Sequence, residues 1–327
     1  MQVQPVVFKL QRLLRTQLDA QKHYLLAVSG GADSLALAHG CAALARSGHG
    51  AYSVCHIEHG LRGAEALRDM QLVQRFCAEN GLPCYVEHVD VRALAAAEHL
   101  SVEDAARRLR YEALRRVAAQ VGAAAIVTAH HEGDQAETVL LKLLRGAGLD
   151  GLSGMRAQQG DILRPLLSLP RELLEQYCAV EQLEFCHDST NDDTAYKRNS
   201  VRKELLPLLA ERYNAEIVPA LARTALLLGE DADFVTQTAD AAYARLVTSA
   251  EDGLHIALKP LLAEHIAVRL RVLRRAYFEL GGSELSFERS RALAALCERR
   301  SGGRLIQLPG GITATIKNKQ IIFTRLS

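Results

Sequence analysis

The feature that most limits what this chain can fold into is an alternation. Four short β-rich runs, HYLLAVS (23–29), AYSVCHI (51–57), PCYVEHV (83–89) and AAIVTAH (124–130), are each followed by a segment whose apolar residues recur near every 3.6 positions. Strand and helix in that rhythm build βαβ units, and hence a parallel sheet with helices on both faces. Right-handed crossovers place every strand's C-terminal end on one edge, where the ligands of such sheets bind. The expected fold class is α/β, a doubly wound parallel sheet.

After about residue 213 the pattern changes. Long helical stretches (217–246 and 260–280) lead to the short β-like runs RLIQL, ITATI and QIIFT around LPGG. Two domains are expected, 1–213 and 214–327, the second mostly helical and ending in a small β element. The first residues form an amphipathic helix, with Val6, Leu10, Leu13, Leu14 and Leu18 at helical spacing. Lys9, Arg12 and Arg15 interrupt its apolar side, so it lacks the continuous run of a secretory signal. No stretch approaches the ~18 apolar residues of a membrane span, so a soluble protein without membrane contact is expected.

The 7 cysteines include no CxxC pair and no zinc-like spacing, which fits reduced thiols in a cytoplasmic protein. The net charge of +1 exerts no global pull on nucleic acid, but two basic runs stand out, ARRLRYEALRR and YKRNSVRK. Each is either a solvated helix face or a phosphate-binding surface.

The loop after the first strand carries the chemistry. In LLAVSGGADSLALAHG, Gly30 and Gly31 let the backbone turn sharply and approach a ligand without a Cβ in the way. Asp33 and Ser34 then open a helix whose free N–H groups and positive dipole end suit an anion. A Walker A loop would add a lysine, and a dinucleotide fingerprint would read GxGxxG; neither occurs here. The alternative is a tight turn with Ser29 or Asp33 as helix cap.

SGGADS, placed after the first strand of a parallel sheet, resembles the pyrophosphate loop of the ATP-pyrophosphatase, or PP-loop, enzymes. Those enzymes cleave ATP between the α and β phosphates. HIEHGLRG (56–63), AARRLRYEAL (105–114), TAHHEGDQAETVLLKLLRGAGLDGLSGM (128–155) and DSTNDDTAYKRNSVRKELLP (188–207) resemble, in order and spacing, the motifs of tRNA(Ile)-lysidine synthetases. The resemblance implies a PP-loop catalytic domain followed by a tRNA- and substrate-binding domain. It implies ATP and Mg²⁺, free L-lysine and a CAU-anticodon tRNA(Ile) as substrates and cofactor, a cytoplasmic setting and a homodimer. The implied chemistry is adenylation of the wobble cytidine at O2, followed by attack of lysine's side-chain amine at C2. A tRNA thiolase of the same superfamily and a non-catalytic nucleotide sensor are the alternatives.

The same resemblance implies the site. Ser29, Gly30, Gly31, Ala32, Asp33 and Ser34 would hold the nucleotide, with Asp33 also the candidate metal ligand. His130, Asp134 and Glu137, at i, i+4 and i+7, are expected on one face of a helix, where the acids would receive lysine's amines or assist the nucleotide. Alternatively the acids form a capping box beside a satisfied histidine. Gly133 stands where family members often carry a second acid. Arg110 and Arg202 match arginines that act on ATP or the intermediate, and Arg62, Arg198 and Asn199 are secondary candidates for positioning tRNA or a loop.

Overall fold

Strand β1 (His23–Ala27) forms because its side chains are wanted on both sides. Tyr24, Leu26 and Val28 enter one apolar cluster, while Leu25 and Ala27 enter another on the opposite face. A strand covered on both faces reads as a continuous apolar run, as this one does. The computed structural model describes residues 4–61, 63–186, 197–298 and 305–325.

The chain divides into two compact units, Met1–Gly229 and Glu230–Ser327. In the first, β1 pairs in parallel with both β2 (Ala51–Glu58) and β4 (Ala125–Val127). Strand β3 (Cys84–His88) lies beyond β2, and the two-residue strands β5 (Gln158–Gln159) and β6 (Ile162–Leu163) extend the other side in the order β3-β2-β1-β4-β6-β5. Only the β5–β6 pair is antiparallel.

Helices α1 (Pro5–Gln17), α2 (Ala32–Arg46), α3 (Ala64–Asn80) and α8 (Arg171–Val180) contribute to the cluster on one face. Helix α5 (Val102–Val121) covers the other. Helices α4 (Val91–Glu98), α6 (Glu132–Leu144) and α7 (Leu149–Leu152) complete the connections. In α1 the buried residues are Val7, Leu10 and Leu14, with Leu18 buried just past the end and Val6 and Leu13 partly covered, so the stripe runs as its spacing indicates. α5 is capped by Ser101, whose side chain accepts from the Asp104 N–H, and ends at Gly122 in the left-handed region.

Leaving β1, the chain moves to β2 on one side, and only later to β4 on the other. The loops after β1 and β4 therefore part at their strands' C-terminal ends and open a crevice, the usual ligand position in such sheets.

The second unit has a five-stranded antiparallel sheet, order β7-β8-β11-β10-β9, from β7 (Val247–Ala250), β8 (Gly253–Ala257), β9 (Leu305–Leu308), β10 (Ile312–Lys317) and β11 (Gln320–Arg325). The sequence pattern points to the last three; β7 and β8 are additional. Asn318 and Lys319 both take positive φ in the tight turn joining β10 to β11, matching the twist of the hairpin. Its core packs Tyr243 and Leu246, at the end of the long helix Ile217–Leu246, with Ile256, Leu273, Tyr277 and Phe323. The helical stretch expected at 260–280 is two helices, Leu258–Ala263 and Ile266–Glu279, separated at Glu264 and His265. No helix among the described residues is long and apolar enough to cross a membrane.

Because Leu26 is fully buried on β1, flanked by β2 and β4, Leu26→Ala is expected to cost about 2–5 kcal/mol. Urea denaturation followed by circular dichroism measures it. A loss under 1 kcal/mol would place the core elsewhere.

Candidate active site

The SGGADS loop spans the step from β1 into α2. Val28 still bonds the neighbouring strand, its N–H meeting the Cys55 carbonyl at 3.0 Å, and the chain then turns at Gly30, whose φ of +96° favours glycine. Gly31 is the residue before the helix and offers no side-chain cap. Neither Ser29 nor Asp33 caps α2. Ser34 instead folds back, donating from Oγ to the Gly31 carbonyl at 2.9 Å and accepting the Ser29 N–H at 3.2 Å. Within α2, Leu35 is the first residue whose N–H finds an acceptor, the Gly31 carbonyl at 3.0 Å. The amides of Ala32, Asp33 and Ser34 have no acceptor among the described residues. They are the free donors that an anion site at a helix start requires.

The capping role that the sequence left open at α2 is found at α6. Its cap is His131, so the helix starts at Glu132, two residues later than the His130, Asp134, Glu137 spacing supposes. His131 accepts the Gly133 N–H at Nδ1 (3.0 Å), and Asp134 returns the bond by accepting the His131 N–H at 3.0 Å. With Nδ1 an acceptor, the ring proton belongs on Nε2. That nitrogen lies 3.7 Å from Asp33 Oδ2 and 3.5 Å from Asp134 Oδ2, so one buried imidazole joins the carboxylate of the first loop to that of α6. His131 is the site residue that the sequence reading omits.

His130 precedes the helix, its Nδ1 2.8 Å from Thr128 Oγ1. Burial takes its pKa down to about 4, Asp134 opposing and Arg164, Arg198 and Arg110 assisting, so the ring is neutral at physiological pH. Gly133 keeps close to the cap, since a Cβ there would stand 2.9 Å from the His131 ring. The acid often found at that position would have to displace this imidazole.

Asp134 and Glu137, one turn apart on α6, face Arg198 and Arg202, themselves one turn apart. Asp134 Oδ1 accepts from Arg198 Nη2 (2.9 Å) and Arg202 Nη2 (3.2 Å), and Glu137 Oε2 accepts from Arg198 Nε (2.7 Å) and Arg202 Nη2 (3.1 Å). Arg202 Nε also bonds Glu137 Oε1. Glu137 is 1% exposed and Asp134 9%. Burial would raise the Asp134 pKa, but His131, Arg198 and His130 outweigh it and hold the carboxyl below its ordinary value. Arg198 is likewise held above its ordinary value: burial works against the charge, and Asp134 and Glu137 prevail.

Asp33 behaves oppositely. Burial raises its pKa, His131 and Arg171 oppose that, and its Oδ1 is buried without a hydrogen-bond partner.

The arginines reach α6 because Val201, Leu205 and Leu206 pack on Ala136 and Leu140. Between the short helices Lys197–Ser200 and Leu206–Arg212 the turn Val201–Leu205 widens to a π-type turn, with the Leu206 N–H on the Val201 carbonyl. Pro207, which has no N–H to give residue 203, accounts for the widening. Gln135 fixes the other end of the motif, bonding both the N–H (2.7 Å) and the carbonyl (2.9 Å) of Met155.

Arg110, exposed on α5, places Nη2 3.4 Å from His59 Nε2. Most of the basic run around it is engaged by acids: Arg108 by Glu98 and, within α5, by Glu112, Arg115 by Asp161 and Arg116 by Glu87. Arg62 and the segment 187–196 lie outside the described residues. Asn199 sits on the short helix that carries Arg198. Among the described residues no group of three or more His, Cys, Asp or Glu side chains could hold a metal ion. The orphaned Asp33 Oδ1 nonetheless fits a hard cation that takes one or two protein carboxylates and completes its shell with water and phosphate oxygens.

Residues 3–209 match the family described as the PP-loop domain. The chain belongs to the PP-loop family. Among curated relatives of this PP-loop protein, the tRNA(Ile)-lysidine synthase of Clostridium acetobutylicum is 32% identical over 292 residues, covering 89% of this chain and 63% of the relative. The tRNA(Ile)-lysidine synthase of Thermus thermophilus is 39% identical over 308 residues, covering 94% and 57%. The chain thus spans about three-fifths of the length of these relatives. Among solved structures, the U34-tRNA thiolase NcsA of Methanococcus maripaludis superposes with a TM-score of 0.58 at 16% identity, covering 69% of this chain and 80% of that one, a likeness of fold alone.

A depressed carboxyl pKa stabilises the fold above its unfolded value, and the contribution is lost as pH falls through the folded value. Asp134→Asn is therefore expected to lower stability by about 1–3 kcal/mol at pH 7 and to flatten the acid limb of a melting-temperature profile below about pH 5. An unchanged acid limb would mean that the four-residue ion-pair cluster contributes nothing.

Proposed function

We propose that this PP-loop protein ligates L-lysine to C2 of the wobble cytidine of a CAU-anticodon tRNA(Ile), consuming ATP and releasing AMP and pyrophosphate. One observation carries the reading: His131 joins the carboxylate of the phosphate-type loop to an acid pair on α6 that two arginines hold. A nucleotide sensor needs the loop, but it has no use for buried acids beside it. The similarity to curated tRNA(Ile)-lysidine synthases supports the choice of substrates. A cluster-dependent thiolase needs several thiolates at one place, and the described cysteines form no three-ligand group.

The free amides of Ala32, Asp33 and Ser34 would take the β and γ phosphates, whose charge rises as pyrophosphate leaves. Mg²⁺, held by Asp33, would supply further neutralisation of that charge. The neutral His130, with Arg110 nearby in the electrostatic field, would lie toward the α phosphate and the adenylated base. Asp134 and Glu137 would receive the cationic amines of lysine, an acceptor that requires anionic partners. Cytosolic tRNA would present an unstacked anticodon base to this crevice, its backbone held by arginines and by the second unit. A homodimer in the cytoplasm is the setting proposed.

The acid pair is already neutralised by Arg198 and Arg202, so an ammonium can reach it only if those guanidinium groups give up bonds. Phosphate oxygens are the acceptors that would take a guanidinium fork in exchange. Nucleotide is thus expected to bind before lysine, and a non-hydrolysable ATP analogue should tighten lysine binding by about tenfold in calorimetry. Equal lysine affinity with and without the analogue would contradict the exchange.

The reading itself is tested by incorporation of labelled lysine into CAU-anticodon tRNA(Ile) with and without ATP. Incorporation is expected only with ATP, and Asp33→Ala should abolish both it and pyrophosphate release while the circular dichroism spectrum is unchanged. No incorporation by the wild-type protein, or full activity in Asp33→Ala, would overturn it.

A further inference from the structure

Arg164 is a buried cation that no neighbouring acid neutralises. It directly follows β6 at the edge of the sheet where the crevice opens, and the preceding residue's carbonyl accepts the Thr128 N–H at 3.0 Å, two residues before His130. It is 3% exposed. Its Nη1 donates to the Arg156 carbonyl at 2.9 Å, while its Nε is buried with no partner. Among the described residues no carboxylate lies within ion-pairing distance of it. Burial lowers its pKa, and the groups that bear on it are the Tyr111 phenol and the like charge of Arg107. A guanidinium keeps its proton in such surroundings, so the charge remains.

A structural arginine in a protein interior is expected to have a counter-charge, because an unpaired buried ion costs stability. Arg164 has the Arg156 carbonyl and the Tyr111 phenol as hydrogen-bond partners, and an empty Nε–H edge. Arg164, Arg110 and Arg198 all act on the neutral His130 ring, so the charges gathered there are mostly positive, with Asp134 opposing them. An environment of this kind lacks an anion.

We propose that Arg164 binds an oxyanion of the substrates, either the α phosphate of the nucleotide or the carboxylate of the amino acid. This rests on the ATP-dependent ligase reading above and assigns that site a specificity-determining residue. The ligand supplies the missing counter-charge, and the Nε–H edge gives it a directed donor beside the Arg156-bound Nη1.

Arg164→Met keeps an unbranched apolar stem and removes the charge; Arg164→Lys keeps the charge and removes the fork. Calorimetry with α,β-methylene-ATP, L-lysine and lysinamide, which lacks the carboxylate, separates the two sources. If the phosphate is the ligand, Arg164→Met binds the nucleotide about 10–100-fold more weakly, and Arg164→Lys falls between it and wild type. If the carboxylate is the ligand, wild type prefers lysine to lysinamide and Arg164→Met loses that preference. In either case Arg164→Met melts at or above the wild-type temperature, because an apolar side chain ends the uncompensated burial of charge. Unchanged affinities in Arg164→Met, or a lowered melting temperature with unchanged affinities, overturn the proposal alone. A wild-type protein that binds neither nucleotide nor lysine overturns the underlying reading, and the proposal with it.

Discussion

The parallel pairing of β1 with β2 on one side and β4 on the other is the constraint from which the rest follows. Tyr24, Leu25 and Leu26 are each matched to a residue on both neighbours, so the ends of β1 and β4 stand level and adjacent. The loop Val28–Gly31 and the loop Thr128–His131 therefore emerge side by side. Neither loop could build the site alone: one supplies unmatched amides and Asp33, the other supplies His131 and launches the acid-bearing helix. The core under β1 sets this register, which is how packing well below the surface positions the chemistry above it.

Electrostatics in the crevice fall into two kinds. Asp134 and Glu137 are fully matched by Arg198 and Arg202, and such a cluster fixes the approach of the 197–212 segment to α6. Asp33 and Arg164 are each left with a buried polar atom that nothing satisfies. Stability alone would favour neutral residues at both positions, and this is the ground on which we propose that their partners arrive with the substrates.

Much of this was legible from residue order. The four strand runs of the first unit begin within a residue of where the structure starts them, because β-rich apolar runs bounded by polar turns leave little alternative. The long helix 217–246 was legible for the same reason. β7 and β8 were not, since VTSA is short and mostly exposed and β8 begins at a glycine with φ of +139°. His131 escaped notice because two adjacent histidines offer the same chemistry, and only the start of α6 decides which one turns inward. Arg164 follows a two-residue strand, too short to have a pattern, and a lone arginine in sequence gives no sign that it is buried. The signal that could have found it is its place between the apolar pairs Ile162–Leu163 and Leu166–Leu167, where a charged residue is out of keeping with its surroundings. The arginines of YKRNSVRK read as a solvated or phosphate-binding face, and the pairing of two of them with buried acids depends on contacts more than sixty residues apart.

The central claim is that the unmatched amides at the start of α2 are the phosphate site of this protein. The most direct measurement is a crystal structure with α,β-methylene-ATP bound. The account predicts β and γ phosphate oxygens within hydrogen-bonding distance of the Ala32, Asp33 and Ser34 amides; a nucleotide seated away from the β1–α2 junction would contradict it.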